Sequence, residues 1–379
     1  MNLIDSISFN NLIKSKQLEE HKDDILTSLR DVVDRYLEDK IREIKSKKRL
    51  IDIDKKKEHT PAREALNEQI ISSLPSWVKK DIDNAVVIGS SGQVIQTSNG
   101  KKYHIGNRLN DLPGAEWTFF LNSVINTRFP TNGPEGFAHH IRKIHPSPKP
   151  PQLMQQIIEF FTKEHDLVLD YFMGVGGSLL GASMCNRRAV GIDLNPIYIE
   201  AYKQANNYLG LKEQVSINAD SVDLLKNPKS LSSSINDEKF SLILIDPPYG
   251  DMMARPKTGE AIKNGSNTAA TPFTDLEEDL GNMPWDKFLQ VFNGTVINAL
   301  KLVKQKGHLV IFLKDLQPKG KELNLLHADL IYKLNGIENL KYLGTKIWAD
   351  QGVNLYPYGY PYSYVSNQIH QYIIIFRKD

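Results

Sequence analysis

Residues 167–193 constrain the fold of this chain more than any other stretch. An apolar strand (167–169) ends at Asp170 and leads into a glycine turn formed by Gly174, Gly176 and Gly177. A helix (178–185) follows, and then a second apolar strand (189–192), which ends at a second acid, Asp193. Glycines at such a turn let the backbone approach a ligand closely, and the second acid, roughly 20 residues after the first, reaches ribose hydroxyls. The sequence therefore predicts an α/β fold that binds a nucleotide-like ligand on a doubly wound sheet.

The acid at the end of the first strand narrows the ligand class. Asp170 stands directly before the glycine turn, with Phe172 two residues later. A carboxylate in this place repels a pyrophosphate and attracts a cation. The turn therefore argues against a dinucleotide and favours a ligand with a positively charged amino group, such as S-adenosylmethionine (SAM).

Residues 241–250, SLILIDPPYG, form the second informative stretch. An apolar run of this length, bounded by proline and glycine, predicts a buried strand of a parallel sheet. Asp246 then lies at its carboxyl end, where open α/β sheets bind ligands. Pro247 and Pro248 fix the backbone and leave their carbonyls free as acceptors, with Tyr249 held beside them. This rigid patch suits a flat ligand bearing an amino group, such as a nucleobase.

Taken together, the two stretches resemble the motifs of the SAM-dependent DNA amino-methyltransferases, of the adenine-N6 and cytosine-N4 type. In that family an F-x-G-x-G loop binds the methionine part of SAM. The second motif is an acid that follows the next strand, and the third is an acid that lies near the adenine amino group of SAM. The resemblance assigns these cofactor contacts to Phe172, Gly174 and Gly176 with Asp170 beside them, to Asp193 in GIDLNP, and to Asp220 in INADS.

The family's catalytic motif, (D/N/S)-P-P-(Y/F/W), is present in full as Asp246, Pro247, Pro248 and Tyr249. The segment IHPSPKPPQL is similar to a family motif that precedes the glycine loop and helps to wrap SAM. This similarity adds cofactor contacts for Lys149 and Pro150.

The resemblance covers residues 117–379 and implies a class I methyltransferase fold. That fold is a Rossmann-like, mostly parallel sheet with an antiparallel C-terminal strand, here preceded by a helical and β-hairpin N-terminal region. We expect two domains: 1–115, in contact with DNA or a partner, and 116–379, the catalytic domain, with a long polar loop at 251–284. Loops of this length are usually functional or disordered. The loop is interpreted as a lid over the target strand, in preference to an inert insertion.

Direct methyl transfer is the chemistry that these residues imply. The base leaves the duplex, Tyr249 stacks on it, and Asp246 and the Pro247 carbonyl accept hydrogen bonds from its amine. Adenine N6 in double-stranded DNA is the preferred target. Cytosine N4, an amine of tRNA or rRNA, and a silent DNA-binding subunit stay open as alternatives. Carbon-5 methylation needs a cysteine nucleophile, and the single cysteine, Cys185, is expected in the core.

Composition excludes several other classes. The chain has 379 residues, a formal net charge of +2 and one cysteine, so neither a disulfide framework nor a zinc cluster is expected. The spacing of His139, His140 and His145 fits no zinc pattern, and no metal site is predicted. No membrane segment or leader is recognised, which predicts a cytoplasmic protein. A homodimer and a restriction or defence-system partner stay open.

Several segments allow two interpretations or carry simple expectations. The lysine-rich residues 40–57 are either a solvated face or a phosphate-contacting surface. Apolar spacing predicts helices at 17–49, 60–74, from Pro151 onward and at 285–302, while Asn99-Gly100 predicts a hairpin. The alternating tyrosines Tyr356, Tyr358, Tyr360, Tyr362 and Tyr364 are either β-strand packing or a rim that stacks on bases.

Overall fold

A computed structural model of the chain describes residues 59–89, 91–227, 231, 235–251, 273–315, 325–357, 360–364 and 366–379. The predicted helix at 17–49 and the lysine-rich residues 40–57 lie outside this part of the chain. Within 61–86 and 93–379, the described residues form one compact unit. The remaining described residues, 59–60, 87–89 and 91–92, group separately.

The strands of the described part are β1 (Thr60–Pro61), β2 (Val86–Ile88), β3 (Val94–Gln96), β4 (Lys102–His104), β5 (Val124–Thr127), β6 (Leu167–Asp170), β7 (Arg188–Asp193), β8 (Val215–Asn218), β9 (Phe240–Ile245), β10 (Val303–Leu313), β11 (Leu340–Asp350) and β12 (His370–Lys378). Its helices are α1 (Ala62–Ala65), α2 (Glu68–Ser73), α3 (Ser76–Lys79), α4 (Gly114–Phe120), α5 (His139–Arg142), α6 (Pro151–Phe161), α7 (Gly177–Met184), α8 (Pro196–Leu209), α9 (Ser221–Lys226), α10 (Trp285–Leu300) and α11 (Leu326–Leu334). Short 3-10 turns occur at Pro134–Gly136 and Leu280–Asn282.

The central sheet has eight strands in the order β5-β11-β12-β10-β9-β6-β7-β8. The pairs β6–β7, β7–β8, β6–β9, β9–β10 and β5–β11 are parallel. Only the closing strand β12 runs antiparallel, to both β10 and β11. This confirms the expected Rossmann-like fold with an antiparallel C-terminal strand. The edge strand β5 was not predicted.

Two helical layers cover the sheet and explain its apolar runs. Every residue of β6 and β9 is buried, as expected for strands covered on both faces. Along β9, Leu242 and Leu244 pack in the cluster that contains α6, α7 and α8, whereas Ile243 and Ile245 pack in the cluster that contains α10 and α11. The apolar face predicted for α6 is buried in the first of these clusters.

Between residues 59 and 115, one expectation is confirmed and one is wrong. β3 and β4 form the predicted antiparallel hairpin, in which Gly100 has a φ of 82°. The single helix predicted for 60–74 is instead two short helices, α1 and α2. Leu66 is extended, and the side chain of Asn67 accepts a hydrogen bond from the Ile70 amide at 2.9 Å, which starts a new helix.

The predicted domain boundary near residue 115 stays a prediction. Leu109 and Leu112, which precede it, pack against the cluster around α6. The Asn110 amide also donates to the Phe160 carbonyl at 2.7 Å. In the part of the chain that the structure describes, no helix is both long and apolar enough to span a bilayer.

Candidate active site

A cavity lined by the motif residues lies at the carboxyl edge of the sheet, where β6 and β9 are neighbours. The chain order reverses between these two strands, and open α/β sheets bind ligands at such a point. The cavity has a volume of about 480 Å³, which is in the usual range for a small-molecule site. Its lining includes eight of the residues predicted from sequence: Phe172, Gly174, Asp193, Asp220, Asp246, Pro247, Pro248 and Tyr249.

Asp246 follows directly on the buried strand β9, and two donors hold its carboxylate. Oδ1 accepts a hydrogen bond from the Tyr249 hydroxyl at 2.7 Å. Oδ2 forms an ion pair with the ammonium group of Lys149. A carboxylate has roughly four lone-pair positions, so Asp246 retains capacity to accept from an amine.

Tyr249 is buried, and its pKa is raised first by this burial and then by the Asp246 carboxylate. The phenol therefore stays neutral and donates to Asp246, while the residue also lines the cavity. Its stacking on a base stays a prediction.

Lys149 reaches the carboxylate of Asp246, although its residue number is 97 lower. Its side chain is only 6% exposed, and Nζ lies 5.3 Å from the centre of the Phe312 ring. Pro150, in contrast, caps the start of α6 and lines a separate cavity of about 220 Å³. The predicted contacts of Lys149 and Pro150 with a cofactor stay predictions.

The glycine turn adopts a backbone that other residues rarely reach. Gly174 has a φ of 49°, and its amide donates to Asp193 Oδ2 at 2.8 Å. Gly176 has a φ of 73°, and a Cβ there would lie 2.2 Å from the Tyr202 ring. Glycine is therefore required for both the conformation and the close packing of the turn.

Two further acids face the cavity beyond the turn. Asp193 ends β7, accepts from the Asn195 amide at 2.8 Å, and has its pKa raised by burial to about 6. Asp220 caps α9 by accepting from the Val222 amide at 2.8 Å, and burial also raises its pKa. Their predicted contacts with ribose and adenine stay predictions.

Asp170 is more enclosed than the sequence implied. Its carboxylate accepts from the Ser178 hydroxyl and, at 3.1 Å, from the Phe172 amide. Burial raises its pKa to about 7. It lines a small pocket of about 30 Å³ rather than the cavity of about 480 Å³, and Asp246 lines both. Asp170 thus fixes the start of α7, and its contact with a ligand amine stays a prediction.

Aromatic residues that the sequence reading missed close one side of the cavity. The His145 ring stacks on Phe273, with centroids 5.2 Å apart, and meets Tyr198 edge-on at 4.9 Å. Burial lowers the pKa of His145 to about 4, so the ring is neutral. Phe273 belongs to the predicted lid loop 251–284, of which 273–280 contributes to the cavity wall, while 252–272 lies outside the described residues.

The opposite side of the cavity is built by the end of β10 and the start of β12. Lys314 and Asp315 follow β10, and Gln368 and Gln371 lie around the start of β12. None of these four was predicted as a site residue from the sequence. Lys314 and Asp315 reach the cavity because β10 lies beside β9, and Gln368 and Gln371 because β12 is inserted beside β10.

Tyr360, Tyr362 and Tyr364 lie between β11 and β12 and are 81%, 93% and 92% exposed. The interpretation as β-strand packing is therefore wrong for these three. Tyr358 lies outside the described residues. Stacking on bases stays a prediction.

Cys185 is buried, as predicted, at the end of α7. Its thiol donates to the Gly181 carbonyl at 3.1 Å, and burial raises its pKa to about 12. It is not among the described residues that line the cavity. A cysteine in this position cannot serve as a nucleophile there.

The chain is similar to known methyltransferases over part of its length. Residues 34–204 match a model of a DNA methylase family. The tRNA (guanine(10)-N2)-dimethyltransferase of Methanocaldococcus jannaschii is 28% identical over 199 residues, which cover 48% of this chain and 52% of that protein. The Type II methyltransferase M.HpaI of Haemophilus parainfluenzae is 41% identical over 63 residues, covering 17% of this chain and 20% of that protein.

Among solved structures, TrmN from Thermus thermophilus aligns with 60% of this chain and 48% of its own length, at 16% identity and a TM-score of 0.37. The chain spans about half the length of the tRNA dimethyltransferases that it matches, 52% and 48% for two of them.

Proposed function

We propose that this chain is a SAM-dependent amino-methyltransferase that methylates the exocyclic N6 amine of adenine in DNA, with S-adenosylmethionine as its cofactor. The match to a DNA methylase family model and the similarity to Type II methyltransferases support this proposal. One observation carries the proposal: the carboxylate of Asp246 lies in the same cavity as Asp193 and Asp220. An acceptor for an amine thus stands beside two acceptors for a nucleoside.

The residues around the glycine turn fit this cofactor. Gly174 and Gly176 hold the backbone in a conformation that leaves no room for a Cβ at Gly176. Asp193 then accepts from ribose hydroxyls and Asp220 from the adenine amine, as in the family motifs. When bound, SAM supplies a sulfonium methyl group whose bond to sulfur breaks as the new bond to the amine forms.

Asp246 and the Pro247 carbonyl position the attacking amine. The lone pair of an exocyclic amine is delocalised into the ring, so the amine is a poor nucleophile. Two acceptors draw its two hydrogens toward the protein, which favours a tetrahedral nitrogen whose lone pair points at the methyl group. Asp246 is the group that takes up the amine proton. Positioning and charge complementarity account for the acceleration, with no covalent intermediate.

Lys149 and Tyr249 fix the carboxylate for this task. The ion pair and the 2.7 Å hydrogen bond leave Asp246 little rotational freedom. The target base must leave its stack to reach this buried edge, because its amine is inaccessible within a duplex.

Guanine N2 of tRNA is the second candidate. The tRNA (guanine(10)-N2)-dimethyltransferases match a longer stretch of this chain than the Type II methyltransferases do, 48% against 17% for the two compared above. The amine on guanine C2 offers Asp246 the same two hydrogens.

The test is methyl transfer from radiolabelled SAM to duplex DNA and to bulk tRNA, followed by separation of the nucleosides. We expect label in N6-methyl-2′-deoxyadenosine from DNA, and none with Asp246→Ala. Label in N2-methylguanosine from tRNA alone would replace the proposed target. Retention of DNA without any transfer would identify a silent binding subunit.

A further inference from the structure

Lys314 carries the only positive charge among the described residues that line the cavity around Asp246. The ring of His145, in the same wall, is neutral because burial lowers its pKa to about 4. The wall also holds six carboxyl groups, those of Asp193, Asp220, Asp246, Glu278, Asp279 and Asp315. Like charges repel strongly in a partly enclosed site, so a phosphate group that enters this cavity is least repelled beside Lys314.

The ammonium group of Lys314 has no protein partner to satisfy it. Within the described ranges it makes no hydrogen bond and no ion pair, although the side chain is half-buried. Burial and then the charge of Lys149 lower its pKa, and Asp350 opposes this effect. A bound anion would stabilise a cation in such surroundings.

The sheet register places Lys314 farther out along the cavity wall than Asp246. Ile311 of β10 pairs with Ile245 of the parallel strand β9. Asp246 stands one residue beyond this pair and Lys314 three residues beyond it, so both continue the same face of the sheet. One strand spacing and two residues of extended chain separate them, about 5 Å sideways and about 7 Å outward.

We propose that Lys314 binds a phosphate group that flanks the target nucleoside. The inference rests on the proposed function and extends it from the base to the nucleic-acid backbone. The amine held by Asp246 is the innermost part of the base, so the sugar and its phosphates extend outward, toward the side on which Lys314 lies. The ammonium group donates hydrogen bonds to the phosphate oxygens, and the nucleotide is held at both ends.

This contact explains how a cavity lined by carboxyl groups accepts part of a polyanion. Without a cation, the acids that suit a sulfonium cofactor and an amine would repel the backbone of the substrate. A phosphate contact positions the nucleotide and carries no information about the base. Lys314 therefore contributes to affinity for any nucleotide, while the choice of base lies with other groups.

Binding of mononucleotides tests the inference without depending on catalysis. Affinities for deoxyadenosine and its 3′- and 5′-monophosphates, and for guanosine and its 3′- and 5′-monophosphates, are measured calorimetrically on protein saturated with S-adenosylhomocysteine. Lys314→Met removes the charge and keeps a side chain of similar length. Lys341→Met is the matched control, because it removes an exposed lysine of β11 at the opposite edge of the sheet.

We expect wild type and Lys341→Met to bind at least one deoxyadenosine monophosphate roughly tenfold more tightly than the nucleoside. Lys314→Met should bind the monophosphates no more tightly than the nucleoside, because the carboxylates then act without an opposing charge. Its affinities for the nucleoside and for S-adenosylhomocysteine should stay within about twofold of wild type.

A gain from the phosphate that persists in Lys314→Met, or that is absent from wild type with both bases, would overturn the inference. An equal loss of affinity for nucleoside and monophosphate would also overturn it and would assign Lys314 a role in shaping the cavity. The proposed function is tested separately by the base. A gain that depends on Lys314 but occurs only with the guanosine ligands would refute adenine as the target and support the phosphate contact.

Discussion

Replacing Asp246 by alanine should destabilise the fold as well as abolish transfer, because Lys149 then loses its counter-ion. The Lys149 side chain is 6% exposed and the Asp246 side chain is 17% exposed. Removing one partner of a buried ion pair costs about 3–5 kcal/mol of unfolding free energy, whereas replacing both partners is often neutral. The Tyr249 hydroxyl also loses its acceptor, at a further cost of about 1 kcal/mol.

The contact between Lys149 and Phe312 does not offset this loss. The Phe312 ring lies 5.3 Å from Lys149 Nζ in the native protein, so the contact is present with and without Asp246. The free energy of unfolding should therefore fall by about 4–6 kcal/mol in Asp246→Ala.

A double-mutant cycle measures the coupling directly. Urea unfolding is followed for wild type, Asp246→Ala, Lys149→Met and the double variant. The double variant should be more stable than Asp246→Ala, with a coupling energy of about 2 kcal/mol or more. Additive effects, within about 0.5 kcal/mol, would refute the view that the pair is buried and mutually dependent.

Three further predictions concern the cofactor, the rim and the cysteine. Burial raises the pKa of Asp193 to about 6, so its carboxylate becomes ionised only as the pH rises through that value. The affinity for S-adenosylhomocysteine, measured calorimetrically, should therefore rise from pH 5 to 7. An affinity that does not change with pH would show that Asp193 does not bind the ribose. Joint replacement of Tyr360, Tyr362 and Tyr364 by alanine should weaken binding of single-stranded DNA by roughly tenfold or more in fluorescence anisotropy, while unchanged binding would exclude stacking. Cys185→Ala should retain transfer at a rate within about threefold of wild type, and a loss of more than about a hundredfold would revive a thiol mechanism.

The sheet and its motifs could be predicted because they depend on local sequence. β6, β7 and β9 are continuous apolar runs, and the positive φ values at Gly174 and Gly176 belong to residues that tolerate them. The helix predicted across residue 66 failed because the Asn67 side chain competes for the backbone at that point.

The rest of the site depends on contacts between residues far apart in the chain. Lys149 meets Asp246, His145 meets Phe273, and Gln371 reaches the cavity only because β12 is inserted between β10 and β11. Nothing in the periodicity of those segments encodes their partners. Side chains that reach a site only through such long-range contacts therefore cannot be predicted from local sequence patterns, even when the neighbouring motifs are recognised.

Nucleoside mass spectrometry on cells that express the chain tests the central claim most directly. DNA and tRNA are digested from cells that express wild type or Asp246→Ala at matched soluble levels. The account predicts N6-methyladenine in DNA with wild type and its absence with the variant. Equal levels in both, or new methylguanine in tRNA with unmodified DNA, would contradict it.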